Sequence, residues 1–233
     1  MARHTLALTL ASLLCLGVVG CGDLLDASIL FDTGEQTITM DTAALGMAIP
    51  GSSGAIPKLP CTTDANCNAV PGLKCGGSGF TCALKCQDKS CAFVATAEQS
   101  TPVDLSKKIN SSVLASGISM VTLEYVRYTV GPNTFNFDTP KLELLIGPGA
   151  AKSSKEGSVV LFSTLPSITR GSTPKANMTV TEVGKQSLQG AILNYKDPFR
   201  FFGRAGLTFK QGDKLPTGKM VMKINAFFKV KPF

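Results

Sequence analysis

The chain has no tryptophan and a single histidine, His4, among its 233 residues. Everything after position 4 therefore lacks imidazole. A Ser-His-Asp triad, a Cys-His dyad and a His-ligated metal centre are excluded there. The missing tryptophan also removes the broadest ring on which a sugar substrate could stack. Charged residues are sparse at 17%, whereas apolar residues make up 44%, enough for a packed core and too many for a disordered chain. The uncharged run Leu6–Val19 is shorter than the ~20 apolar residues of a membrane-spanning helix.

What is present at the N-terminus reads as an export signal. Arg3 and His4 form a short polar start, and the apolar run then ends in Val18-Val19-Gly20-Cys21. That tetrad resembles the lipobox of bacterial lipoproteins. The resemblance implies that residues 1–20 are a signal peptide, that cleavage falls just before Cys21, and that Cys21 carries the lipid, with palmitate a usual acyl group. Cys15 follows Leu14, which is too large for the small-residue site, so Cys21 is the better match. In such lipoproteins Asp after the cysteine favours inner-membrane retention. Gly22 thus implies the outer membrane, with the bilayer as first partner through the N-terminal lipid.

Cys15 leaves with the signal and Cys21 is lipidated, which leaves Cys61, Cys67, Cys75, Cys82, Cys86 and Cys91. An even set in an oxidising compartment reads as three disulfides, in any of fifteen connectivities. Zinc sites use two closely spaced cysteine pairs, and the gaps here, three to seven residues, do not repeat that spacing. The run Cys61-Thr62-Thr63-Asp64-Ala65-Asn66-Cys67, followed by Leu73-Lys74-Cys75, resembles the opening of small dickkopf-type cysteine-rich repeats. That resemblance implies a disulfide-knotted loop without activity. It also implies alternating pairs, Cys61 with Cys75 and Cys67 with Cys82, leaving Cys86 to meet Cys91 across a turn at Gln87-Asp88-Lys89.

Four stretches follow along the chain: signal 1–20, lipidated tether with a first strand 21–60, cysteine-rich segment 61–91, and β domain 92–233. Ile38 and Met40 alternate with Thr37 and Thr39, which predicts a strand over 29–40. Residues 46–60, rich in Gly, Pro, Ser and Ala, read as a loop. The cysteine-rich segment has too few aliphatic residues for a core of its own and depends on its crosslinks. In the β domain, Val121, Leu123 and Tyr125 share one phase and Val126, Tyr128 and Val130 the other, which predicts a bulge near Tyr125. Gly131-Pro132-Asn133 reads as a turn. Phe135, Phe137, Leu142, Leu144 and Ile146 continue the alternation, 158–162 reads as a short buried strand and 199–209 as another. The clearest strand is the last: Met220, Met222, Ile224, Ala226, Phe228 and Val230 fall on one face, and Lys219, Lys223, Asn225, Lys229 and Lys231 on the other. Thr179 and Glu182 fit a capping box for one helix over 180–195, with Val183, Leu188, Ala191, Ile192 and Tyr195 on its apolar face. The fold class is therefore mainly β: a β-sandwich with one packed helix and a small disulfide-rich insertion. The order of lipobox, acidic strand, cysteine knot, β domain and closing hairpin is similar to a group of Gram-negative lipoproteins, a resemblance that implies no catalytic residue.

Catalytic patterns are thin. Ser172-Thr173-Pro174-Lys175 fits S-x-x-K without its companion motifs, and Pro174 breaks the helix it needs. Asp64, Asn66 and Asn68 imitate the start of a calcium loop, but Ala69 and Cys75 stand where Gly and Glu belong. No spacing selects a carboxylate pair. No enzyme, metal or cofactor is expected. Residues 92–233 hold twice as many bases as acids, while 22–60 carry Asp23, Asp26, Asp32, Glu35 and Asp41 against Lys58 alone. A basic exported domain suits an envelope protein or an anionic glycan or lipid as partner, and nothing points to nucleic acid. The expected role is a lipid-anchored, non-catalytic binding or structural module of the cell envelope; the alternative is a carrier of a hydrophobic or anionic envelope ligand, whose sheets would enclose a cavity.

Overall fold

The computed structural model describes residues 29–45, 54–69, 80–106 and 118–232. The signal, Cys15, Cys21 and Cys75 lie outside the described residues. Ten strands run in chain order: β1 (Ile29–Asp32), β2 (Gln36–Asp41), β3 (Phe80–Gln87), β4 (Ser90–Val103), β5 (Ile118–Asn133), β6 (Leu142–Pro148), β7 (Val160–Leu165), β8 (Lys175–Asn177), β9 (Phe199–Phe209) and β10 (Lys219–Pro232). Among the described residues two α-helices join them, α1 (Asp64–Asn68) and α2 (Glu182–Leu193), with a 3-10 turn at Thr42–Leu45. They form two antiparallel sheets of five strands each. In sheet one the order is β1-β10-β5-β8, with β2 also on β10; sheet two runs β3-β4-β9-β6-β7.

β10 is the spine of sheet one. Its six inward residues, Met220 to Val230, are each at most 2% exposed. β5 flanks it on one side, and β1 and β2 lie end to end on the other. The predicted strand over 29–40 is thus real but broken at Thr33–Glu35. There the Thr33 amide donates to the Ala226 carbonyl, and Gln36 Nε2 donates to the Thr33 carbonyl. Opposite, Phe93, Leu144, Phe162 and Phe201 fill the inward face of sheet two. α2 packs against β5, β6 and β7, closing one open side between the sheets. A smaller apolar cluster of Leu145, Ala151 and Phe202 sits on the outer face of sheet two. The loop after β6 is held there by Ser154, whose amide and hydroxyl both donate to the Glu98 carboxylate. Among the described residues no helix is long and apolar enough to cross a membrane.

Several expectations change. Within segment 61–91, β3 and the start of β4 belong to sheet two, so the boundary at residue 92 cuts through a strand. Gly131-Pro132-Asn133 makes no turn. Two register pairs, Met220 with Asn133 and Met222 with Val130, enclose one surplus residue, so Gly131 and Pro132 form a bulge and β5 runs on. The strand expected at 158–162 lies at Val160–Leu165.

The helix begins at Thr181, not Thr179. Val180 bridges Ser163 and the Thr181 amide donates to the Phe162 carbonyl, which keeps the chain extended up to that residue. Thr181 Oγ1 then accepts from the Gly184 amide. The buried face of α2 is Gly184, Leu188 and Ile192, while Val183 points outward at 57% exposed. Gly184 decides this rotation: a Cβ there would lie 2.7 Å from Phe162 Cα, so the glycine is what lets α2 approach β7 closely.

Candidate functional site

The outer face of sheet one carries the most distinctive surface. The predicted bulge falls at Glu124, where the register steps from Phe227–Tyr125 to Phe228–Leu123. The extra residue moves Tyr125 out of the core phase of Val121 and Leu123, a correction to its expected placement. Tyr125 lands opposite Phe227, and the two rings stack at 4.4 Å between centroids and 24° between planes. Glu124 turns toward Lys229, 3.1 Å away.

The next residue pairs extend this patch. Arg127 faces Asn225 on β10 and Asn177 on β8; Thr129 faces Lys223 and Lys175. The Arg127 guanidinium lies 5.2 Å from the Tyr125 ring centre and 5.8 Å from that of Phe227. Lys223 is engaged by Glu35 at 2.6 Å. The side chains of Arg127 and Lys175 have no hydrogen-bond or ion-pair partner among the described residues. Asn225 accepts from Thr33 through Oδ1, which leaves its amide donors open. Glu35, Arg127, Thr129, Lys175, Lys223 and Asn225 line a pocket of about 100 Å3 beside Phe227. Two cations without counter-ions, next to stacked rings, can receive an anion and an apolar face together.

Larger depressions are built differently. A groove of about 790 Å3 runs between Asn136–Pro140 and the end of β9. Its polar groups hold the walls together: Asn136 bonds Leu215 and Thr217, Asp138 accepts from the Arg170 amide, and Asp213 from that of Lys210. A second groove, of about 450 Å3, includes Glu98, already engaged by Ser154. Glu143 is held by Arg204 at 2.7 Å. Between the sheets, the space lined by Met40, Phe135, Leu142 and Leu207 is only about 10 Å3. A carrier needs ~300 Å3 or more.

The cysteines pair otherwise than expected. Cys61 bonds Cys86 and Cys67 bonds Cys91, so none of the pairs Cys61–Cys75, Cys67–Cys82 and Cys86–Cys91 forms. Segment 59–61 is laid along the β3–β4 hairpin, with the Cys91 amide donating to Leu59 and the Cys61 amide to Lys89. α1 then brings Cys67 to Cys91 and leaves Cys61 beside Cys86, with Cα separations of 5.5 and 5.8 Å. Cys82 is ~13 Å further along β3 from Cys86, and it too is disulfide-bonded. The sulfurs of Cys61, Cys67 and Cys91 lie within 4.8 Å of one another, yet all are consumed by these bonds. The calcium-like residues are likewise engaged. Asp64 accepts from the Cys86 amide, and Asn66 accepts from the Thr62 and Thr63 amides. Ser172 donates to the Thr169 carbonyl in a turn.

No protein-family model matches the chain, and no curated protein matches it. Solved structures give weak likenesses. A desmodium yellow mottle tymovirus structure aligns over 88% of this chain and 89% of its own, at 6% identity and a TM-score of 0.29. A carbohydrate-binding module of the β-sandwich superfamily aligns over 82% of this chain and 55% of its own, at 10% identity and 0.27. An empty turnip yellow mosaic virus particle aligns over 100% and 90%, at 11% identity and 0.27.

Proposed function

We propose that this chain is a lipid-anchored envelope protein, held to the outer membrane through Cys21, and that it acts as a non-catalytic binding module. Its ligand lies on the outer face of sheet one. The observation that carries this reading is Arg127: a half-buried guanidinium over two stacked rings, with no carboxylate or carbonyl partner among the described residues. The guanidinium carries five N–H donors, and partly buried donors ordinarily find acceptors. The tight packing between the sheets favours a surface-binding module over a carrier. The lipobox residues Val18-Val19-Gly20-Cys21 and the basic balance of 92–233 support the envelope setting.

Two measurements test it. Cys21→Ser should leave an unprocessed chain that takes up no labelled palmitate; normal processing and labelling would remove the anchor. Immobilised protein should retain delipidated envelope material, and the double variant Tyr125→Ser, Arg127→Ser should not, at an unchanged melting temperature. Equal retention would move the ligand off this face.

A further inference from the structure

We infer that the pocket between β5, β8 and β10 recognises an acidic polysaccharide, taking the carboxylate of a uronic-acid residue while the Tyr125–Phe227 stack carries the adjoining sugar ring. This rests on the binding-face reading above and names its ligand.

Pocket size is the first argument. Pockets that enclose whole small-molecule ligands measure about 300–1,000 Å3, and this pocket offers about 100 Å3. It has room for one substituent, not for a complete ligand, so the rest of the molecule lies on the open strand face. A polymer with repeated short side groups has that shape.

Charge is the second. Lys223 and Glu35 neutralise each other, which leaves Arg127 and Lys175 as two uncompensated cations in one small pocket. Arginine's planar fork matches a carboxylate, and each charge-assisted bond outweighs a neutral one. The open amide of Asn225 and the hydroxyl of Thr129, without a partner among the described residues, supply further polar contacts for sugar oxygens.

The third argument is the ring pair. Tyr125 is 36% exposed and stacked on Phe227, so the rings are fixed before a ligand arrives and little freedom is lost on binding. Leu30 and Met120 do project from this face, at its Lys229–Lys231 end, whereas the rings beside the pocket lie packed together beneath an arginine.

Full-length protein in detergent would be run through affinity gels containing polygalacturonate, dextran sulfate or neutral dextran, and floated with anionic phospholipid vesicles. Retardation by polygalacturonate and not by dextran is expected. Arg127→Ala and Lys175→Ala should each weaken it about tenfold, and ~1 M salt should abolish it. The melting temperature should stay unchanged. Equal retardation by neutral dextran, a stronger response to dextran sulfate, or unchanged binding by Arg127→Ala would overturn the carboxylate assignment while leaving the face as a binding surface. Vesicle binding without polygalacturonate binding would replace the glycan by a membrane. If Tyr125→Ser, Arg127→Ser still retains envelope material as wild type does, the failure lies in the underlying reading.

Discussion

Cys86 and Cys91 stand directly opposite each other across the β3–β4 hairpin, yet neither bonds the other. Each reaches instead to the α1 segment, so two crosslinks 24 and 25 residues long clamp that segment on the sheet edge. Peptide mapping without reduction should recover Cys61–Cys86 and Cys67–Cys91. In the chain-entropy model, loops of this length stabilise by about 3–4 kcal/mol each, so the paired change Cys67→Ala, Cys91→Ala should lower stability by that order in denaturant melts. A recovered Cys86–Cys91 peptide would refute the arrangement.

Two glycines of α2 should respond in opposite directions to the same substitution. Gly184→Ala drives a Cβ to within 2.7 Å of Phe162 Cα and 3.0 Å of the Leu161 carbonyl. Backbone cannot swing aside as a side chain can, so a loss of ~1–3 kcal/mol is expected. At Gly190 a Cβ meets nothing within 4 Å, and Gly190→Ala should stabilise by up to ~1 kcal/mol through helix propensity. Thermal melts that moved both variants the same way would contradict the described packing.

The two faces of β10 should separate as clearly. Ile224→Ala and Phe228→Ala empty fully buried sites, at a cost of ~2–5 kcal/mol. Lys229→Ala removes a half-exposed pair with Glu124 and should cost ~0.5 kcal/mol or less. A neutral Phe228→Ala would mean that the interior tolerates space, and would bring back the carrier.

Asp88 and Lys89 turn the β3–β4 hairpin with φ of 51° and 60°, a left-handed conformation that side chains disfavour. Lys89→Gly should therefore stabilise by ~0.5–1 kcal/mol. A loss in the melt would show that the Lys89 side chain has a role beyond the turn.

Alternation was legible where one face meets the core and the other meets water. That is why β10 and β9 could be located from residues alone, and why the phase change near Tyr125 announced the bulge at Glu124. Local chemistry misled where tertiary contacts competed with it. Gly131 and Pro132 have turn composition, but pairing with β10 carries the strand through them. Thr179 has the right spacing for a cap, but β7 holds the chain extended up to Thr181. Cysteine connectivity depends on where the chain lies on the hairpin, which no spacing encodes. The ring stack was missed because Tyr125 and Phe227 are partners only across strands. One signal for it did exist: Phe227 is a large aromatic residue among the Lys and Asn positions of the outer phase of β10.

The pairing of β10 with β1, β2 and β5 has a consequence in time. A chain delivered N-terminus first presents β1, β2 and β5 long before the strand that joins them. Until Lys219–Pro232 arrives, Ile38, Met40, Val126 and Val130 have no sheet to bury them, and open strand edges invite association with other chains. Sheet one therefore cannot close before β10 is present, and contacts so distant in sequence slow its formation. Truncation ahead of Lys219 should therefore yield an aggregating chain, not a smaller folded one.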